Sequence, residues 1–207
     1  IDNDKYDNFC DHLVVIDTFV SDNFIVGTYR LLMNNGLNES SDLYTETEFD
    51  IKKLKKFKGR ILEAGRSCVH ESYRNGRIIR LLWRGLSSYI NQQNVNFILG
   101  CASFTHEENF KIDDKLSYLY HYHIAPKKFR SIPLDGKGIN WNLIPKKNLN
   151  KREIFKSLPP LIKAYLRVGA WVGEGAVFDK EFNTIDVCII LKKENILFRY
   201  LNMSDKN

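Results

Sequence analysis

Three groups of residues in this chain have types and spacings that could do chemistry. The first is Glu63, an acid inside the apolar run Ile61-Leu62-Glu63-Ala64, followed at once by Gly65 and Arg66. In a regular strand, residues 63 and 66 face opposite sides. A bulge at Gly65 would bring them to one face and free backbone N–H groups. An acid held there by a cation could take a proton from an incoming nucleophile. A structural ion pair at a sheet edge accounts for the same pattern. The second group is the turn Arg74-Asn75-Gly76-Arg77-Ile78-Ile79-Arg80. It places cations at a helix start, where the free N–H groups favour anions. Those arginines make sense if a phosphate docks at the turn, and Gly76 permits the close approach. The alternative is an ordinary strand-to-helix connection on a basic surface. The third group is acidic: Asp2, Asp4 and Asp7, then Glu46 and Glu48 in YTETEFD. It is either a polar segment or an anionic site for an amine.

Other features invite chemistry and carry less. In Tyr118–His123 (YLYHYH), His121 and His123 point apart on a helix and have no third metal ligand nearby in sequence. Aromatic packing explains them better. No nucleophile elbow of the Gly-x-Ser-x-Gly type is present. Cys68 and Cys101 fall in predicted strands and read as buried, inert thiols. The run KKLKKFKGR at 52–60 reads as a solvated face. With Lys127, Lys128, Arg130, Lys146, Lys147, Lys151 and Arg152 it could also dock an acidic protein or an anionic membrane.

Strands and helices must alternate to hold these groups. Short apolar runs predict strands at His12–Asp17, Phe24–Leu32, Arg60–Val69, Asn96–Ala102 and Ile185–Leu191, with Ala170–Phe178 strand-like. Helical spacing predicts helices at Phe49–Phe57, Arg77–Gln92, Asp113–Ile124, Ser157–Val168 and Lys193–Leu201. Met33–Ser41 reads as a loop, and residues 127–151 as a long irregular excursion. The pattern gives an α/β domain around a mixed sheet.

The bulk numbers agree. With 207 residues, 43% hydrophobic, the chain can fold as one domain. Net charge +6 favours an acidic partner, and no nucleic-acid motif accompanies it. The four cysteines are widely spaced, which fits a reducing compartment and excludes a disulfide framework or zinc site. No apolar run approaches the ~20 residues that span a bilayer, and no signal peptide is visible.

The blocks CDHLVVID, IVGTYRLL, YTETEFD, LEAGRSCVHESYRNGRIIRLLWRGL, GCASF and LPPLIKAYLRVGAWVGEGAVFDKEFNTIDVCIIL resemble, in order and over nearly the whole chain, the bacterial ornithine N-acyltransferases. These are members of the GNAT (Gcn5-related N-acetyltransferase) superfamily, sometimes labelled hemolysin-like. The resemblance implies a mixed sheet splayed between two central strands and flanked by helices, in a single domain over residues 1–207. It implies transfer of a 3-hydroxyacyl group from acyl carrier protein to the α-amine of ornithine, giving a lyso-ornithine lipid. The family's N-terminal basic and aromatic segment is expected to precede the first residue here. A more distant similarity is to acyl-homoserine-lactone synthases. Their Asp-x-x-Asp, Gly-x-x-Arg-Leu-Leu and Glu-x-x-Arg match Asp4–Asp7, Gly27–Leu32 and Glu63–Arg66.

From residues and resemblance together, Glu63 is the expected base, with Arg66 beside it. Asp4, Asp7, Arg30 and Glu48 form the acceptor side. The donor side comprises backbone N–H groups near Ser67, Cys68 and Val69, and the turn with Arg74, Asn75, Gly76, Arg77 and Arg80. Tyr118, Tyr120 or Tyr122 would protonate the leaving thiolate. No cofactor is held permanently and no metal is needed. Acyl-phosphopantetheine is the expected donor rather than acyl-coenzyme A, because Arg77 and Ile79 stand where the usual pyrophosphate loop has glycines. The expected location is cytoplasmic, with peripheral contact to an anionic membrane. Two alternatives stand: a lactone-synthase-like enzyme, and a non-catalytic adaptor that binds acyl carrier protein or membrane.

Overall fold

The apolar runs pair into one twisted sheet whose two faces are both covered. The computed structural model describes residues 4–34, 43–57, 59–105 and 112–196. The strands are β1 (Asp11–Ile16), β2 (Ile25–Asn34), β3 (Phe49–Asp50), β4 (Arg60–Val69), β5 (Val95–Thr105), β6 (Ile132–Pro133), β7 (Gly138–Ile139), β8 (Trp171–Val172), β9 (Ala176–Asp179) and β10 (Thr184–Lys192). The helices are α1 (Lys52–Lys55), α2 (Arg77–Gln92), α3 (Asp113–His123), α4 (Lys151–Ser157) and α5 (Pro160–Arg167). The eight-stranded sheet runs β1-β2-β4-β5-β10-β9-β7, with β8 also beside β10. Strands β4 and β5 are parallel and joined through α2, while the other strand pairs are antiparallel. Strands β3 and β6 form a separate small ladder.

Period-two alternation sorts each strand between two cores. On β4, Leu62 and Ala64 face the cluster under α2, α3 and α5. Ile61 faces the second cluster with Phe49, Leu54, Phe97 and Leu99, and Glu63 follows it on that same side. Helix α2 buries Ile78, Leu82, Trp83, Leu86 and Ile90, the stripe its 3.6-residue period demands.

Gly100 sits where β5 passes close to the backbone of β4. A Cβ built there would lie 2.4 Å from the Ala64 carbonyl oxygen. That neighbour is backbone and cannot rotate away. Gly100→Ala should therefore lower the unfolding free energy by about 1–3 kcal/mol, read from urea midpoints.

Several predicted elements differ. Phe49–Phe57 is not one helix: Phe49 and Asp50 pair with Pro133 and Ile132, leaving four helical residues. The helix expected at Ser157–Val168 is broken, because Leu158 and Pro159 are extended and α4 ends before them. A residue before proline is pushed out of the helical region. Helix α4 itself lies partly within the expected irregular stretch. The closing helix is a 3-10 turn at Lys193–Asn195, and positions after 196 lie outside the described residues. So do Asp2 and most of the Met33–Ser41 loop; Met33 and Asn34 belong to β2. Among the described residues no helix is long and apolar enough to cross a membrane.

Candidate active site

The parallel ladder between β4 and β5 stops at Glu63↔Leu99, although β4 runs to Val69 and β5 to Thr105. Beyond it, β4 is bulged. Thr28 pairs with Cys68 and Arg30 with Gly65, so Arg66 and Ser67 together oppose Tyr29. Arg66 takes the positive φ of the bulge, 50°. The distortion thus sits one residue later than the glycine that foretold it. It leaves the β5-facing backbone groups of 64–69 without ladder partners and opens a cavity of about 400 Å³. Glu63, Arg66, Cys101, Tyr165 and Asp186 line it.

Glu63 is buried, 5% exposed. Contrary to expectation, its partner is not Arg66. The Tyr44 and Thr45 N–H groups donate to Oε2 and Oε1, each at 2.7 Å, and the Thr45 hydroxyl donates to Oε1 as well. Burial raises its pKa; the Thr45 and Tyr44 hydrogen bonds and the Arg30 charge offset part of that rise. The acid thereby ties the 3-10 turn at Tyr44–Thr47 to the end of the ladder.

The arginines serve other acids. The Arg30 Nη1 lies 2.7 Å from Asp4 Oδ1 and 3.0 Å from Asp7 Oδ1. Arg66 Nη2 lies 3.1 Å from Asp4 Oδ2, and its guanidinium covers the Tyr44 and Phe182 rings. Burial raises the Asp4 carboxyl, but the Arg30, Tyr6 and Arg66 hydrogen bonds outweigh it and the net shift is downward. The Asp4 N–H, then Arg30, lower Asp7. Asp4 and Asp7 are thus already neutralised.

Glu48 is not. It is buried, beside Asp186 of β10 and Cys101 of β5, their ligand-capable atoms all within 4.8 Å of one another. Burial, then the Asp186 charge, push Glu48 up to about 7. Burial also raises Asp186, and burial drives the Cys101 thiol well above its ordinary range, which disfavours thiolate ligation of a metal.

The charged groups acting on Glu48 are Asp186, Asp179, Lys137 and the neighbouring Cys101. Because the folded state holds the Glu48 proton more tightly than the unfolded chain, stability falls as pH rises from about 4.5 to about 7. His123, lowered to about 4 by burial and then by Lys151, contributes with the opposite sign over pH 4 to 6.5. The difference between wild-type and Glu48→Gln melting profiles isolates the first effect. The variant should gain on wild type across that window, by on the order of 3 kcal/mol at most.

The donor side is partly at the cavity. Ser67 lines it. Cys68 is exposed, not buried as expected: it lies past the end of the β4–β5 ladder, so β2 alone flanks it. Val69 accepts from Arg74 Nε at 3.0 Å. Gly76, at φ 85°, caps α2, and Asn75 Oδ1 accepts from the Arg77 N–H. No acid sits in the first turn of α2, so Arg74, Arg77 and Arg80 face solvent around a cationic helix start.

A family model described as an acetyltransferase (GNAT) domain matches residues 1–84. An L-ornithine N(alpha)-acyltransferase from Brucella abortus is 39% identical over 206 residues, covering 97% of this chain and 73% of that protein. The chain belongs to the L-ornithine N(alpha)-acyltransferase family. A member from Rhodobacter capsulatus is 36% identical, over 91% of this chain and 73% of its own length. Among solved structures, a spermidine N-acetyltransferase from Vibrio cholerae aligns with a TM-score of 0.43 at 12% identity, over 94% of this chain and 72% of that one. The protein is thus an acyltransferase of the GNAT class.

Within this acyltransferase, two site residues escaped the sequence reading. Asp186 looked like one polar letter in an apolar strand. Its chemistry depends on the β5–β10 register, which sets it opposite Ser103 and on the face of Cys101. Tyr165 looked like part of a core stripe, yet it lines the cavity and its hydroxyl lies 3.1 Å from that of Tyr29. The expected tyrosines are elsewhere. Tyr118 is buried on α3 and bonds to His123, and neither Tyr120 nor Tyr122 lines the cavity. His121 bonds to the Ile144 carbonyl, consistent with packing rather than metal binding.

Proposed function

We propose that this acyltransferase moves a 3-hydroxyacyl group from the phosphopantetheine thioester of acyl carrier protein to the α-amine of ornithine, giving a lyso-ornithine lipid. The observation that supports it most is the opened β4–β5 cleft with Glu63 at its root. An α-amine near pKa ~8 is mostly protonated at neutral pH and must lose a proton to attack. Glu63 keeps one lone pair, on Oε2, beyond those taken by Tyr44 and Thr45, and its raised pKa suits it to accept that proton. The amine nitrogen then bonds to the thioester carbonyl carbon. Backbone N–H groups of the bulged stretch near Ser67–Val69 hold the oxyanion, worth about 3–4 kcal/mol per good donor. Collapse breaks the C–S bond; the Tyr165 hydroxyl, kept protonated by burial, gives its proton to the departing thiolate and regains one from the second N–H proton that the new amide nitrogen sheds.

Arg66 and Arg30 hold Asp4 and Asp7 in place, which shapes the acceptor side. Asn75, Gly76, Arg74, Arg77 and Arg80 receive the carrier's phosphate. The exposed Lys52, Lys53, Lys56, Lys127 and Lys128 offer an acidic carrier protein its complement in the cytoplasm. The same cations would serve peripheral contact with an anionic membrane.

Mass spectrometry of products from acyl-loaded carrier protein plus ornithine tests this reading. An N-acylated ornithine is expected. A lactone product when other candidate amines are offered in place of ornithine, or carrier binding without product, would overturn it in favour of a lactone synthase or an adaptor. Arg77→Glu with Arg80→Glu should raise KM for the acyl carrier protein by about tenfold or more and leave kcat nearly unchanged.

A further inference from the structure

The acids of this site divide sharply by their partners. Asp4 and Asp7 face Arg30, and Glu46 lies 2.7 Å from the Lys55 ammonium. Glu63 accepts from Tyr44 and Thr45. Glu48 and Asp186 form no ion pair among the described residues, yet they are as deeply buried as Glu63: 5% and 4% exposed. Glu48 Oε2 and Asp186 Oδ1 are buried without a hydrogen-bond partner, and so is Thr184 Oγ1 on the same face of β10. The Thr184 and Ser103 hydroxyls lie near enough to Asp186 to stabilise its charged form, but the Thr184 hydroxyl does not close to hydrogen-bond geometry. Lys137, the cation that acts on Glu48 from further away, donates its ammonium to the Thr47 carbonyl.

Leaving two buried carboxylates side by side without a cation is costly. Asp186 and Thr184 line the cavity, and a Glu48 carboxylate oxygen lies within 4.8 Å of one on Asp186, so a cation held at Asp186 from the cavity side also feels the Glu48 charge. We propose that Glu48 and Asp186, with Thr184, bind the side-chain ammonium of a diamino-acid acceptor. An ammonium carries three N–H donors, and Glu48 Oε2, Asp186 Oδ1 and Thr184 Oγ1 are buried acceptors without a partner. This reading rests on the proposed acyl transfer to an amino-acid α-amine and deepens it. An ammonium clamped between carboxylates keeps its proton and cannot attack. The acceptor's other amine, left near Glu63, is the one that loses its proton. The acid pair would thereby choose between the two amines of one substrate and reject monoamino acids of the same length.

Calorimetric titration of the intact protein compares ornithine with norvaline, which has the same carbon skeleton and no side-chain amine. Wild type should bind ornithine about 100-fold tighter or more. Asp186→Asn and Glu48→Gln should each shrink that ratio to about fivefold or less, and Asp186→Glu, which keeps the charge, should restore much of it. Circular-dichroism melts of each variant show that it is folded. Equal binding of the two amino acids by wild type overturns the ammonium site. So does stoichiometric Zn²⁺ binding that ornithine does not displace, since the pair would then be a metal site. Parallel transfer assays keep the two readings apart. Equal acylation of ornithine and norvaline overturns the ammonium site and spares acyl transfer; ornithine-selective binding with no acylated product does the reverse.

Discussion

Glu63→Gln is expected to cut kcat for acyl transfer by about 10²–10⁴-fold, the usual worth of a positioned general base. The substitution also has a structural cost. Glu63 accepts from the Tyr44 and Thr45 N–H groups and the Thr45 hydroxyl. A Gln amide would turn its NH₂ toward one of those donors, at about 1–3 kcal/mol. Activity alone would therefore not separate chemistry from folding. Thr45→Val does: it removes one hydroxyl from Glu63 and keeps the carboxylate. It should lose about 1 kcal/mol of stability and hold kcat within about threefold. Wild-type turnover by Glu63→Gln refutes the base. Equal losses of activity in both variants, tracking their melting temperatures, would make Glu63 a clamp for the Tyr44–Thr47 turn instead.

Arg30→Ala should be the most destabilising change on the acceptor side. One buried guanidinium, 7% exposed, serves two carboxylates that are 23% and 24% exposed. Removing it leaves both charges facing each other. Fully buried pairs lose about 3–5 kcal/mol when one partner goes; partial exposure here brings the expected loss to about 2–3 kcal/mol, read from urea unfolding at pH 7. The loss has a pH signature. Both carboxyls are held below their ordinary 3.8 in the folded protein, so their contribution is present above that value and disappears as pH falls through the folded values. Wild-type and variant stabilities should converge in strong acid. A gap that persists there would assign the loss to packing of Arg30 over the Tyr6 ring rather than to charge.

Local signals carried the strand and helix that frame the site. Ile61 to Ala64 alternates between two faces, so the first half of β4 follows from a period of two, and the α2 stripe follows from a period of 3.6. Arg74, Gly76 and Arg77 at the start of α2 were legible because a cation at that end opposes the helix dipole. Failures came where a distant segment decided the outcome. Phe49 left its helical pattern to pair with Pro133. Arg66 left Glu63 for Asp4, sixty-two residues away in the chain.

By itself, the sequence determined the splayed α/β fold, the place of the strand distortion to within a residue and, through ordered blocks, the acyltransferase family. These depend on neighbours within a few residues or on similarity along the chain. Only the tertiary structure decided which acid meets which cation. Strand register is a long-range property: the pairing of Asp186 with Ser103 places it on the face of Cys101, and the turn held by Glu63 brings Glu48 beside them. Two carboxylates separated by most of the chain thus came to lie buried within 4.8 Å of each other, a consequence of packing that no local pattern encodes.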